Sequence, residues 1–168
     1  MRVSISIVSI LTFMCAFAVA QGQEVTKATY MITGLHCPPC TRTVESSLAG
    51  VKGVTAVKVD WKSKSAKISF DESKTSAQKI AELVSTTPHM MGGRMNYGAQ
   101  LALSVPGIKD ETTAKAAKEA ISAVSGIESV ATFPKQHTLS VRFSSEGNLK
   151  SSDLIAALEK AGFKSSVY

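Results

Sequence analysis

The chain has 168 residues, with 19 Lys+Arg against 13 Asp+Glu, 44% hydrophobic residues and 6% aromatic. That length holds one ordinary domain or two small ones, and the composition excludes disorder, collagen-like sequence and a disulfide-dense scaffold. The net charge of +6 is spread as single lysines among Ser and Thr, with no Lys/Arg block dense enough to make a nucleic-acid surface.

Residues 1–20 read as an export signal. Arg2 precedes an apolar stretch over 3–19 broken only by Ser4, Ser6, Ser9 and Thr12, and Ala18-Val19-Ala20 supplies the small residues that a signal peptidase reads. The stretch is short for a membrane span and runs into polar Gln21-Gly22-Gln23-Glu24. The expected product is exported, periplasmic or otherwise extracytoplasmic, with a tail over 21–26 and no membrane insertion after cleavage. Cleavage removes Arg2 and Cys15, leaving 18 basic and 13 acidic residues, a charge of +5, and Cys37 and Cys40 as the remaining thiols. In an oxidising compartment these two pair only with each other or with a partner.

Residues 28–33 alternate and are β-prone. Over 39–49 the apolar Val44 and Leu48, with Val51 beyond them, recur at helical intervals, and Gly50 and Gly53 fit the stop. Residues 54–59 and 66–70 make a strand pair joined by polar Lys62-Ser63-Lys64. A second helix follows over 76–84 with Ser76 as N-cap, and a short closing strand over 90–97. The series then restarts with a strand over 101–105 and a helix over 114–124, with Ala117, Ile121 and Val124 on one face. A helix over 152–160, capped by Ser151 or Ser152, and a last strand over 164–168 end the chain.

Sliding the chain against itself by 73 residues explains the restart. Ile32, Gly34 and Leu35 fall on Val105, Gly107 and Ile108; Leu48, Gly53 and Val57 fall on Ile121, Gly126 and Val130; Ile68 and Phe70 fall on Val141 and Phe143. Chance supplies apolar coincidences but not two glycines in register with them. The order βαββαβ predicts an α+β chain of two tandem ferredoxin-like domains, over 27–97 and 98–168. Each is expected to be a four-stranded antiparallel sheet with two helices on one face. The connection is too short for free tumbling.

Gly34-Leu35-His36-Cys37-Pro38-Pro39-Cys40 lies between the first strand and the first helix. The helix dipole and free N–H groups favour thiolates there, and the spacing lets both sulfurs converge on one ion. Thiolates select Cu(I), Hg(II) or Zn(II) over hard cations. Pro38 and Pro39 suit the first helical turn, where a missing N–H costs little.

On these residues, followed by Val44, Leu48, Val51, Gly53, Val54, Val57 and Phe70, the chain resembles the heavy-metal-associated domain family of copper chaperones, copper-ATPase modules and periplasmic mercury-binding proteins. The resemblance implies that Cys37 and Cys40 are metal ligands and that Leu35 is the buried loop anchor. It also implies that a soft metal passes by ligand exchange, without catalysis, to or from a metal transporter or membrane-associated metalloprotein. Cu(I) is the favoured ion, with Hg(II) or Zn(II) as alternatives. The second copy carries Asp110 and Thr113 where the cysteines would stand, so it is expected to be metal-free, with Asp110 capping its helix.

Aligning Ala161-Gly162-Phe163 with Thr87-Pro88-His89 places His89 where the family brings a residue close to the metal, making it a candidate third ligand. His36, beside Cys37, is a weaker candidate, and His137 is expected to be an exposed turn residue. Met90, Met91 and Met95 form a second group of soft donors, for which packing is the competing role. Two other classes of function compete with a metal carrier. A thiol–disulfide oxidoreductase would use Cys37 as nucleophile and Cys40 as resolver; an interaction module would have a vestigial site.

Overall fold

The computed structural model describes residues 25–93 and 95–168; the expected signal segment lies outside them. Strand β1 (Val25–Thr33) leads into helix α1 (Pro38–Ala49), strands β2 (Val54–Asp60) and β3 (Ser65–Asp71), and helix α2 (Ala77–Thr86). Strand β4 (Gly98–Ser104), helix α3 (Glu111–Ser122), strands β5 (Ile127–Phe133) and β6 (Thr138–Phe143), helix α4 (Ser151–Lys160) and the short β7 (Ser166–Val167) follow. Val25 and Thr26, expected in the tail, already belong to β1. Among the described residues no helix is long and apolar enough to cross a membrane.

The strands form one antiparallel sheet in the order β2-β3-β1-β4-β6-β5, with β7 pairing to β4. Alternation puts Ala28, Tyr30 and Ile32 of β1 and Ala99, Leu101 and Leu103 of β4 on the buried face. The helices cover that face with Val44, Leu48, Ile80, Val84, Ile121, Leu154 and Leu158, and the whole set is one continuous core. The repeat is visible in the backbone. Lys64 and His137, 73 residues apart, are both left-handed, at φ 50° and 51°. The strand pairs β2/β3 and β5/β6 also slip register at matching points, Val54/Ala56 and Ile127/Ser129.

One expected strand is missing. Among the described residues over 90–97 none belongs to a strand; a single bridge joins Pro88 to Asn96. The place beside β1 is taken by β4, through Tyr30↔Leu101 to Thr33↔Gly98. Strand β4 therefore closes the first copy and opens the second. Leu101 pairs with Val141 on its other edge, and farther along the first edge Leu103 meets Val167. One edge of β4 is thus divided between β1 and β7, which is why β7 is only two residues long.

Two side chains reinforce the joint. Gln78 of α2 is buried; its Nε2 donates to the Ser144 and Glu146 carbonyls at 3.2 and 2.9 Å, and its Oε1 accepts from the Leu149 N–H at 3.0 Å. Glu72 accepts the Ser151 N–H at 2.7 Å, so a carboxylate from the first copy caps the last helix of the second.

Candidate metal centre

The loop between β1 and α1 is shaped by Gly34, whose φ is +85°. A Cβ there would lie 2.6 Å from the Asn96 carbonyl oxygen, so only glycine admits both the turn and the neighbouring segment. Leu35 is buried beneath the loop, as its expected anchoring role requires. Cys37 is the N-cap of α1, and Pro38 and Pro39 fill its first two positions. Cys40 follows at the third, on the buried stripe with Val44 and Leu48. Helical periodicity thus turns Cys40 inward, while Cys37 remains half-buried at the rim.

The two sulfurs are 2.8 Å apart, longer than a covalent S–S bond of about 2.05 Å. The two sulfurs share one hydrogen bond, in which either can donate; this contact raises the Cys37 pKa and lowers that of Cys40. Backbone N–H groups of His36 and Cys37 further favour the Cys40 thiolate. The pair therefore holds its last proton on Cys37. With metal–sulfur bonds of about 2.3 Å, two sulfurs on one ion stand about 3.8 Å apart in tetrahedral geometry and about 4.6 Å apart in linear geometry. Metal capture must spread the pair by about 1–2 Å, and Cys37, at the rim, is the sulfur with room to move.

His89 lies above this loop, but both of its ring nitrogens are engaged. Nε2 meets the Gly34 carbonyl at 2.9 Å and Nδ1 accepts the Met91 N–H at 3.1 Å. It staples two loops together instead of offering a free nitrogen, and among the described residues no group of three His, Cys, Asp or Glu side chains is arranged to hold an ion. For His89 to act as a third ligand, one of these two hydrogen bonds would have to open. His36 is exposed, its ring edge-on to His89 with centroids 6.0 Å apart.

Tyr97, not among the residues singled out by sequence, is buried near Cys40. Its ring is 4.5 Å from that of His89, and its buried hydroxyl makes no hydrogen bond of good geometry. Burial, then the nearby Cys40 sulfur, raises its pKa; the Met90 N–H lowers it. Tyr97 corresponds to Phe163: Tyr97 packs against Gly34 and Phe163 against Gly107. The signal was present in Tyr97-Gly98 ahead of the alternating strand, but reading 90–97 as a strand assigned the matching position to His89.

A family model for the heavy-metal-associated domain matches residues 29–89 and again 102–164. The chain belongs to the heavy-metal-associated domain family. Its relatives include the mercuric transport protein periplasmic component of Serratia marcescens, 35% identical over 54 residues, 32% of this chain and 59% of that protein. The copper chaperone CopZ of Bacillus subtilis (strain 168) is 34% identical over 56 residues, 33% of this chain and 81% of that protein. The chain thus spans about three fifths of the mercuric transport protein's length. Among solved structures, oxidized MerP from Ralstonia metallidurans CH34 aligns with 26% identity and a TM-score of 0.40, covering 46% of this chain and 97% of that one.

The second heavy-metal-associated copy uses the same two positions for a different purpose. Asp110 is the N-cap of α3 and Thr113 its third residue, the places Cys37 and Cys40 hold in α1. Asp110 Oδ1 accepts the Thr113 N–H at 2.8 Å and Thr113 Oγ1 accepts the Asp110 N–H at 3.1 Å, a reciprocal capping box. The Thr113 N–H and hydroxyl hold the Asp110 pKa below the usual carboxylate value. His137 is exposed, as expected, and its Nδ1 contacts the Ile108 carbonyl.

Proposed function

We propose that the chain is an exported carrier or sequestering protein for a soft metal ion, Cu(I) in the first instance, held by Cys37 and Cys40. The observation that carries this reading is the thiol pair itself: two unbridged sulfurs 2.8 Å apart at a helix start, one buried and one at the rim. A buried, low-pKa thiolate provides a fixed ligand; a rim thiol that moves provides exchange with a donor or acceptor. The relatives' names, a mercuric transport protein and a copper chaperone, support a thiophilic cargo. The copper-transporting ATPase HMA5 of rice, 26% identical over 132 residues, 77% of this chain and 13% of that protein, supports a transporter as partner. The sequence over 1–20 supports export. Within this reading 27–97 is the metal-binding copy and 98–168 the metal-free one.

The competing oxidoreductase is disfavoured by where the proton sits. In C-x-x-C redox sites the rim cysteine is the activated nucleophile with the lowered pKa; here the rim thiol is pushed up and the buried one down. The test is to titrate the reduced chain from residue 21 onward with Cu(I) against a competing chelator, alongside a disulfide-reduction assay. One tightly held Cu(I) per chain without turnover supports the carrier; weak binding with rapid turnover replaces it by the redox reading.

A further inference from the structure

Met90 and Met91 are 58% and 67% exposed. Packing, the ordinary employment of methionine, therefore does not account for them. A single exposed apolar side chain needs no explanation; two adjacent exposed thioethers on a segment that His89 ties to the cysteine loop call for one. Their segment is fixed in position. The Met91 N–H is held by His89 Nδ1 at 3.1 Å, and the Gly92 N–H donates to the His89 carbonyl at 3.1 Å. His89 is in turn tied to Gly34 of the cysteine loop. His89 also lies 4.5 Å, ring to ring, from Tyr97.

We infer that Met90 and Met91 form a thioether receiving site for Cu(I) at the rim of the Cys37/Cys40 centre. The thioether is a neutral soft donor. It takes Cu(I) without losing a proton, leaves Zn(II) and hard cations to other ligands, and resists the oxidation that closes dithiols in an oxidising compartment. It also holds the ion more weakly than a thiolate pair. An ion captured by Met90 and Met91 therefore passes downhill to Cys37 and Cys40 by ligand exchange, with no change of oxidation state. The inference rests on the soft-metal reading of the cysteine pair, and the test keeps the two apart.

The test uses the Cys37→Ser/Cys40→Ser chain with Ag(I) as a redox-inert probe and methyl-labelled methionine as reporter. The expected result is that Ag(I) shifts the Met90 and Met91 methyl signals. Adding Met90→Ala/Met91→Ala, which alters exposed side chains outside the core, then weakens Ag(I) binding by about tenfold or more, the worth of a lost ligating interaction. Unshifted methyl signals, or equal Ag(I) affinity in the two backgrounds, overturn the inference, as does a patch that binds an acceptor protein but no Ag(I). In the chain with intact cysteines, Met90→Ala/Met91→Ala is expected to slow Cu(I) uptake while leaving its final affinity unchanged. Failure of the dithiolate reading appears instead as weak Cu(I) binding in the unaltered chain.

Discussion

Cys37 and Cys40 share their protons unevenly because their hydrogen bond raises the pKa of the rim thiol and lowers that of the buried one. Two predictions follow at this scale. Removing the partner sulfur in Cys37→Ala takes away the bond that lowers the Cys40 pKa, so the surviving thiolate forms at higher pH, read from its ultraviolet absorbance. An unchanged or lower midpoint contradicts the proton assignment. Metal must displace the remaining thiol proton, so Cu(I) affinity of the intact pair falls as pH falls below the range in which Cys37 ionises. His89 is expected to behave differently from either proposed cysteine ligand. His89→Ala is expected to keep one Cu(I) per chain while lowering the melting temperature, because it removes a staple between two loops; loss of stoichiometric binding would make it a ligand. The cysteine pair was legible in the sequence because C-x-x-C after Gly34 is local. Tyr97 was not, since its proximity to Cys40 depends on which strand follows it in the sheet.

At the scale of the element, α1 and α3 are the same helix with opposite priorities. Helix α3 begins with a reciprocal cap, whereas α1 begins with a cysteine that makes no side-chain cap bond and has no acidic residue in its first turn. The first copy thus starts its helix without a side-chain cap, its third residue's N–H turning back to the Cys37 carbonyl at 3.1 Å, and an ion bridging the N-cap and third residues would tie the turn as the Asp110/Thr113 box does. Hydrogen exchange at Thr41 and Arg42 is expected to be faster than at Ala114 and Lys115 in the metal-free chain, and to slow on Cu(I) loading. Equal rates before and after loading would remove the capping role. Gly34→Ala, with a Cβ 2.6 Å from the Asn96 carbonyl oxygen and φ in the glycine region, is expected to destabilise by more than about 1 kcal/mol, measured by denaturant unfolding. The helices were readable from their periodicity. The strand over 90–97 was misassigned because a strand needs an edge as well as an alternating pattern, and β4 already occupies the edge of β1.

For the whole molecule, the duplication predicted two tandem four-stranded units, and the chain joins their strands into one continuous sheet. Gln78 shows how tightly the halves are bound: Gln78→Ala leaves the Leu149 N–H and the Ser144 and Glu146 carbonyls without their partner. It is expected to cost about 2 kcal/mol while the chain still unfolds in a single transition by calorimetry. Two separated transitions would mean the copies are independent. A fragment ending at residue 97 lacks the neighbour of β1 and is expected to unfold far more easily than one ending at residue 104. The repeat was visible as a 73-residue offset; the sharing of a strand was not, because pairing across a sheet leaves no mark in local spacing.

A strand that serves both copies has no spare half. Arrays of such modules grow and shrink by gaining or losing whole units, and each unit is free to diverge because its neighbour can be discarded. Here, deleting either copy with its strand strips the other of β4, which pairs with β1 on one edge and β6 on the other. The second copy, without thiols of its own, still supplies the strand beside β1.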